Sequence, residues 1–152
     1  MQATQNNFAD AQQSFRQSVT QDSKLVDGYI ELAHLAAKQG EWRELLNVTE
    51  HLVQTHPEVA EFWFLNSAAN FNLGDIDKAE TSITRGLRLD SRHQIPQLEY
   101  LYALVLARRE NFQAAAEHTA AYLKLSPKAS DAPEAQKRLA QFQTLASTAA
   151  AR

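Results

Sequence analysis

Cysteine is missing from all 152 residues. Disulfide staples, thiolate nucleophiles and cysteine-built zinc sites are therefore excluded. The compartment stays open, because cytoplasmic and exported proteins alike can do without cysteine. Glycine and proline are scarce, four of each, which argues against an all-β chain of tight turns. The 15 basic and 18 acidic residues leave a net charge of −3. With no lysine or arginine run either, the chain lacks the electrostatic footprint of a nucleic-acid or anionic-lipid binder. No apolar stretch approaches the roughly 20 residues of a membrane-spanning helix. The first five residues, Met1 to Gln5, lack the basic and apolar regions of a secretory signal.

Catalytic signatures are also wanting. There is no Gly-x-Gly-x-x-Gly or other phosphate loop. The five histidines, His34, His51, His56, His93 and His118, form no His-x-x-x-His pair and have no acidic helper at catalytic spacing. His51 and His56 straddle an expected helix end, where solvent exposure is the expectation. Asp75 and Asp77 suit helix capping and the helix dipole better than acid–base work. No cofactor, metal or enzymatic activity is expected.

What is present is a core-forming chain, 44% apolar, with helical patterning that repeats. Leu73-Gly74-Asp75-Ile76-Asp77-Lys78-Ala79 reads as a turn between helices. Gly74 ends one helix in a left-handed conformation, Asp75 caps the next, and Ile76 with Ala79 begins its buried stripe. Related turns occur at Asn6-Asn7-Phe8, Gly40-Glu41-Trp42 and Glu110-Asn111-Phe112. Their apolar anchors Phe8, Trp42, Ile76 and Phe112 are spaced 34, 34 and 36. Breaks at Ser23, Pro57, Ser91 and Pro127 repeat those intervals, and the small residues Ala33, Ser67 and Ala103 are 34 and 36 apart. Three features in one register predict a stack of helical units.

In chain order, the first helix begins at Phe8, with Phe15 on its apolar face. Further helices are expected over 26–39, 42–55, 60–73, 76–89, 96–109 and 112–125. A last helix follows, capped by Ser130 or Asp131 and carrying Pro133 in its first turn. Leu139, Phe142, Leu145 and Ala146 form its apolar stripe, with Lys137, Arg138, Gln141 and Thr144 on a wetted face. The tail from Ser147 is expected to fray. Gly86, inside a helix at a cost of about 1 kcal/mol, implies close approach by a neighbour. The units are a half repeat (8–23), three full repeats (24–57, 58–91, 92–127) and a closing helix (130–147). Starting halfway through a unit leaves the face around Phe8 and Phe15 bare, as in a piece of a longer protein or an edge that self-associates.

Over residues 8–127 the sequence resembles the tetratricopeptide-repeat family. Trp63, Ser67, Leu73-Gly74-Asp75 and Ala79 carry most of the match. Tyr29, Ala33, Gly40 and Pro57 support it in the unit before, and Ala103, Ala115 and Pro127 in the unit after. Leu45 replaces the usual alanine, Glu110 the turn glycine, and Asn66 and Asn70 the usual apolar groups. These asparagines, one helical turn apart, can hydrogen-bond each other, and they are expected to be satisfied structurally rather than to bind anything. The resemblance implies an all-α, right-handed α-solenoid of antiparallel helix pairs with a C-terminal capping helix. It also implies a concave face, lined by the first helix of each pair, that binds a protein or peptide partner.

Helical projection places Ile30, His34 and Lys38 of the second unit on that face, with Asp27 and Glu31. The third contributes Phe64, Leu65, Phe71 and Asn72, with Glu61 and Ala68. The fourth contributes Tyr100, Leu101, Leu104 and Arg108, with Gln97. The centre is apolar and aromatic, as binding anchors tend to be. One subgroup of the family grips a terminal carboxylate with basic residues here. At the corresponding positions this chain has Ile30, His34, Leu65, Gln97 and Leu101, so that clamp is absent. The expected function is non-enzymatic protein recognition in this groove, and the alternative is assembly through the Phe8/Phe15 edge.

Overall fold

The computed structural model describes residues 10–13 and 26–152. Phe8 and Phe15, and with them the proposed edge, lie outside the described residues. The helices are α1 (Val26–Gln39), α2 (Trp42–Thr55), α3 (Ala60–Asn72), α4 (Ile76–Leu89), α5 (Gln97–Arg108), α6 (Phe112–Leu125) and α7 (Ala132–Ala150). No β-strand occurs among the described residues. Asp10–Gln13 are helical as well.

The turns show why these bounds match the sequence pattern so closely. Residues 40, 74 and 110 all take left-handed conformations, with φ of 71°, 86° and 61°. In each, the following N–H reaches the carbonyl five residues back: Glu41 to Ala36 at 2.8 Å, Asp75 to Asn70 at 2.9 Å, and Asn111 to Leu106 at 2.9 Å. This closes the helix with its last carbonyls paired. Gly40 and Gly74 enter the conformation without a Cβ, whereas Glu110 enters it with one. On the far side, Asp75 Oδ1 accepts from the Lys78 N–H at 3.1 Å and Asn111 Oδ1 from the Ala114 N–H at 3.3 Å. Both are N-caps. The longer break before α5 is organised by buried Asp90, whose carboxylate accepts from the N–H groups of Gln94 and Ile95 at 2.8 Å each.

Three helix ends depart from expectation by one residue. Helix α3 stops at Asn72, and α5 runs from Gln97 to Arg108, starting after Pro96 and ending before Arg109. The expected fraying from Ser147 does not occur, since α7 continues to Ala150. Alanine has the highest helix propensity. In addition, Thr144, Ser147 and Thr148 donate to the carbonyls four residues back, at 3.0 Å each.

Each helix packs mainly on its sequence neighbours, with additional contacts between α1 and α3 and between α3 and α5. The core is therefore a series of clusters along the array. One joins Leu32, Leu45, Leu52 and Phe62 across α1–α3. Another joins Ala79, Ile83 and Val105 across α4 and α5. A third seats Phe142 of α7 on Leu106, Ala115 and Ala116. Ala33, Ser67 and Ala103 are fully buried. Gly86 marks a close approach: a Cβ there would lie 3.0 Å from Leu98 Cδ2 and 3.5 Å from Trp63 Cβ.

The contact pattern sets the curvature. The first helices α1, α3 and α5 touch one another, while the second helices α2, α4 and α6 make no comparable contact. Touching inner helices and splayed outer ones bend the array so that α1, α3 and α5 line its inner face.

Candidate functional site

The inner face carries a series of bridges between successive first helices. His34 Nε2 of α1 lies 2.9 Å from Glu61 Oε1 of α3. The Arg108 guanidinium of α5 sits over the Phe71 ring of α3, 5.7 Å from its centroid, as a cation–π pair. Arg138 of α7, paired with Glu134 at 3.3 Å, stands near enough to the Tyr100 phenol of α5 for its charge to act on it. Burial raises the Tyr100 pKa, and the Arg138 charge opposes that rise. The side chains of His34 and Glu61 are about half exposed, so that pair contributes register more than stability.

The aromatic centre is only partly free. Phe64 and Ile30 are half-buried and pack against the core shared by α1, α2 and α3. Phe71 and Leu101 pack on the Ala79–Ile83–Val105 cluster, and Leu104 on the cluster around Phe142. Tyr100 stacks on Tyr122 at 4.9 Å with planes 13° apart. Each is thus partly exposed, with the rest of its side chain given to packing. Lys38 and Asn72 are exposed. Asn72 folds its amide back onto the Ala68 carbonyl at 2.8 Å.

Leu65 is a correction. It is 8% exposed and belongs to the core of α1–α3. It lies about 100° around α3 from Phe64, which turns it from the inner face toward α1. Arg138, expected on the wetted side of α7, is half-buried against Tyr100. His51, expected in solvent, stacks on Tyr29 at 4.1 Å. These partners are 22 and 38 residues away in sequence, so no helical period signals them.

Other polar groups serve the frame. Tyr122 donates to Asp131, the residue that precedes α7. Burial, reinforced by that bond and the Asp131 charge, pushes its phenol pKa up to about 12. Glu99, nearly buried, meets His118 Nδ1 at 2.5 Å. Arg109 bridges Asp77 at 2.5 Å and Glu80 at 2.7 Å. Asn66 and Asn70 bond each other as expected, and the network extends further: Asn66 Nδ2 donates to Thr49 Oγ1 at 3.1 Å, and Ser82 Oγ donates to Asn66 Oδ1 at 2.6 Å. Among the described residues no group of three or more His, Cys, Asp or Glu side chains is arranged to hold a metal. None of the helices there is long and apolar enough to cross a membrane.

No family model and no curated protein matches the sequence. Solved structures do. A crystal structure of MamA protein superposes with a TM-score of 0.78 at 17% identity, covering 97% of this chain and 80% of that one. The Yersinia enterocolitica type III secretion chaperone SycD, in complex with a peptide of the translocator YopD, gives 0.67 at 16% identity, covering 81% and 93%. The TPR2B domain of yeast Sti1, in its pHsp70 complex, gives 0.68 at 13% identity, covering 78% and 95%. The chain has the tetratricopeptide-repeat fold.

Proposed function

We propose that this chain is a non-enzymatic recognition module that holds a segment of a protein partner against the inner face of α1, α3 and α5. The observation that carries the reading is the strip formed by Phe64, Phe71, Tyr100, Leu101 and Leu104. These side chains are half-buried rather than covered; Arg108 sits over Phe71 and the His34–Glu61 pair ties α1 to α3 beside them. Preformed apolar surface of this kind gains affinity without an ordering cost. Two proteins that share the fold support the reading: SycD is seen with a peptide of the translocator YopD, and the Sti1 TPR2B domain in a complex with pHsp70.

The chemistry of the surface restricts the ligand. Cations stand toward one end, with Lys38 and Arg108 exposed at the C-terminal ends of α1 and α5, and Asp27 stands at the start of α1. The positions of a carboxylate clamp hold Ile30, His34, Leu65, Gln97 and Leu101, so a free chain end is not what is gripped. The favoured ligand is an internal segment with two or more large apolar side chains, flanked by an acidic residue on the Arg108 side.

Arrays of peptides bearing apolar anchors, with or without the flanking acid, test this. Binding by the wild type should fall at least tenfold in Phe64→Ser and in Arg108→Glu, with far-UV circular dichroism unchanged. Equal binding by wild type and both variants sinks the proposal. Light scattering on the same samples reports whether the chain self-associates instead.

A further inference from the structure

The splayed outer helices leave an opening between α2 and α4, a cavity of about 360 Å³ floored by α3. At roughly 30 Å³ of liquid volume per molecule, it has room for on the order of ten waters. Its floor is polar where the neighbouring units are apolar. Asn66 and Asn70 occupy positions held by Leu32 and Ala36 in the preceding unit, and by Tyr102 and Leu106 in the following one. Both asparagines are more than nine-tenths buried, at 5% and 3% exposed.

Hydrogen bonding fixes how each carboxamide faces. Asn66 is engaged at both ends, by Thr49 on one side and by Ser82 and Asn70 on the other. Asn70 Nδ2 turns inward, donating to Asn66 Oδ1 and to the Asn66 carbonyl at 3.1 Å each. Asn70 Oδ1 therefore points the other way. No buried side-chain oxygen among the described residues lacks a partner, so this acceptor opens on the cavity that Asn70 lines. Glu50 and Gln54 of α2 stand exposed on one wall beside Val53. On the opposite wall, Lys78 is turned to Asp75 at 3.8 Å.

We infer that this outer cavity is a binding site for a guanidinium group, delivered as an arginine side chain on a partner's surface. A guanidinium is planar and carries five N–H donors. Asn70 Oδ1 at the floor and the Glu50 carboxylate at the rim supply acceptors in different directions, and Val53 receives the aliphatic stem. A carboxylate or phosphate would bring no donor to either acceptor, and the Lys78 ammonium on the opposite wall is directed at Asp75. The site does not depend on the inner-face proposal, because Asn66 and Asn70 lie on the opposite side of α3 from Phe64 and Phe71.

The test is a titration of the whole chain with N-acetyl-arginine methylamide, followed by the Asn side-chain ¹⁵N resonances. The lysine and citrulline analogues are run beside it. Saturable shifts at Asn70 are expected with arginine, weaker with lysine and weakest with neutral citrulline. Exposed Glu50, changed to Gln, should lower arginine affinity on the order of tenfold without altering the fold. In Asn70→Leu the arginine-dependent shift of the neighbouring Asn66 side-chain resonance, which also lines the cavity, should disappear while helicity persists. The inference fails if Asn70 shows no saturable shift. It fails equally if citrulline matches arginine, or if Glu50→Gln leaves the affinity unchanged.

Discussion

Asn66→Ala tests the packing argument most directly. Its side chain joins three helices: Thr49 of α2, Asn70 of its own helix and Ser82 of α4. After truncation, Thr49 keeps its bond to the Leu45 carbonyl at 2.7 Å, and Asn70 keeps the Asn66 carbonyl. Ser82, 5% exposed, loses its acceptor. An orphaned buried donor costs about 1–3 kcal/mol, and the other lost bonds add about 1. Water entering from the adjoining cavity offsets part of this, leaving a net loss of about 2 kcal/mol. Ser82→Ala alone costs about 1 kcal/mol, because Asn66 Oδ1 still holds Asn70. In the double variant the orphan disappears, so the combined loss falls short of the sum by about 1 kcal/mol. Urea denaturation of the four proteins measures this. Hydrogen exchange should show amides of α1–α4 accelerated more than those of α5–α6, since units of a stacked array lean on their nearest neighbours. A loss under about 0.5 kcal/mol for Asn66→Ala, or strict additivity with Ser82→Ala, would refute the reasoning.

Three further perturbations follow from particular residues. Glu110→Gly relieves a left-handed residue that carries a Cβ, at about 1–2 kcal/mol, less glycine's entropic cost of about 0.5–1; it should raise the urea midpoint. Gly74→Ala should lower the unfolding free energy by about 1 kcal/mol through φ alone, because the new Cβ meets nothing within 4 Å. His118→Ala leaves the nearly buried Glu99 carboxylate unpaired and should cost about 2–3 kcal/mol, partly recovered by adding Glu99→Gln. Tyr122 in the folded state holds its proton to about pH 12, above the ordinary value near 10. The stability this provides is complete below pH 10 and is lost as pH rises toward 12. Tyr122→Phe should therefore be less stable than wild type at pH 8, and the gap should close by pH 12 in pH-dependent urea titrations.

Much of the fold was legible because its determinants are local. Turn residues at 40, 74 and 110 and the stripes between them fix helix bounds within one chain segment, and recurrence at 34 and 36 residues fixes their stacking. Glu110 shows the limit of composition: no propensity scale favours glutamate at positive φ, yet its place in the repeat assigned it to the turn. The inner face was legible only coarsely. Helical phase placed Phe64, Phe71, Tyr100 and Leu104 on that side, and all four are half-buried in the structure. It misassigned Leu65, whose angle falls near the boundary between face and core, where the position of α1 decides.

By itself, the sequence determined that this chain is a row of helix pairs, because periodicity and capping act over a few residues and need no knowledge of distant ones. Only the tertiary structure decided which side chains bridge the inner helices, that Arg138 closes on Tyr100, and that the outer helices part over Asn70. Those outcomes depend on the angle at which one pair meets the next, and that angle is set by packing among residues far apart in the chain.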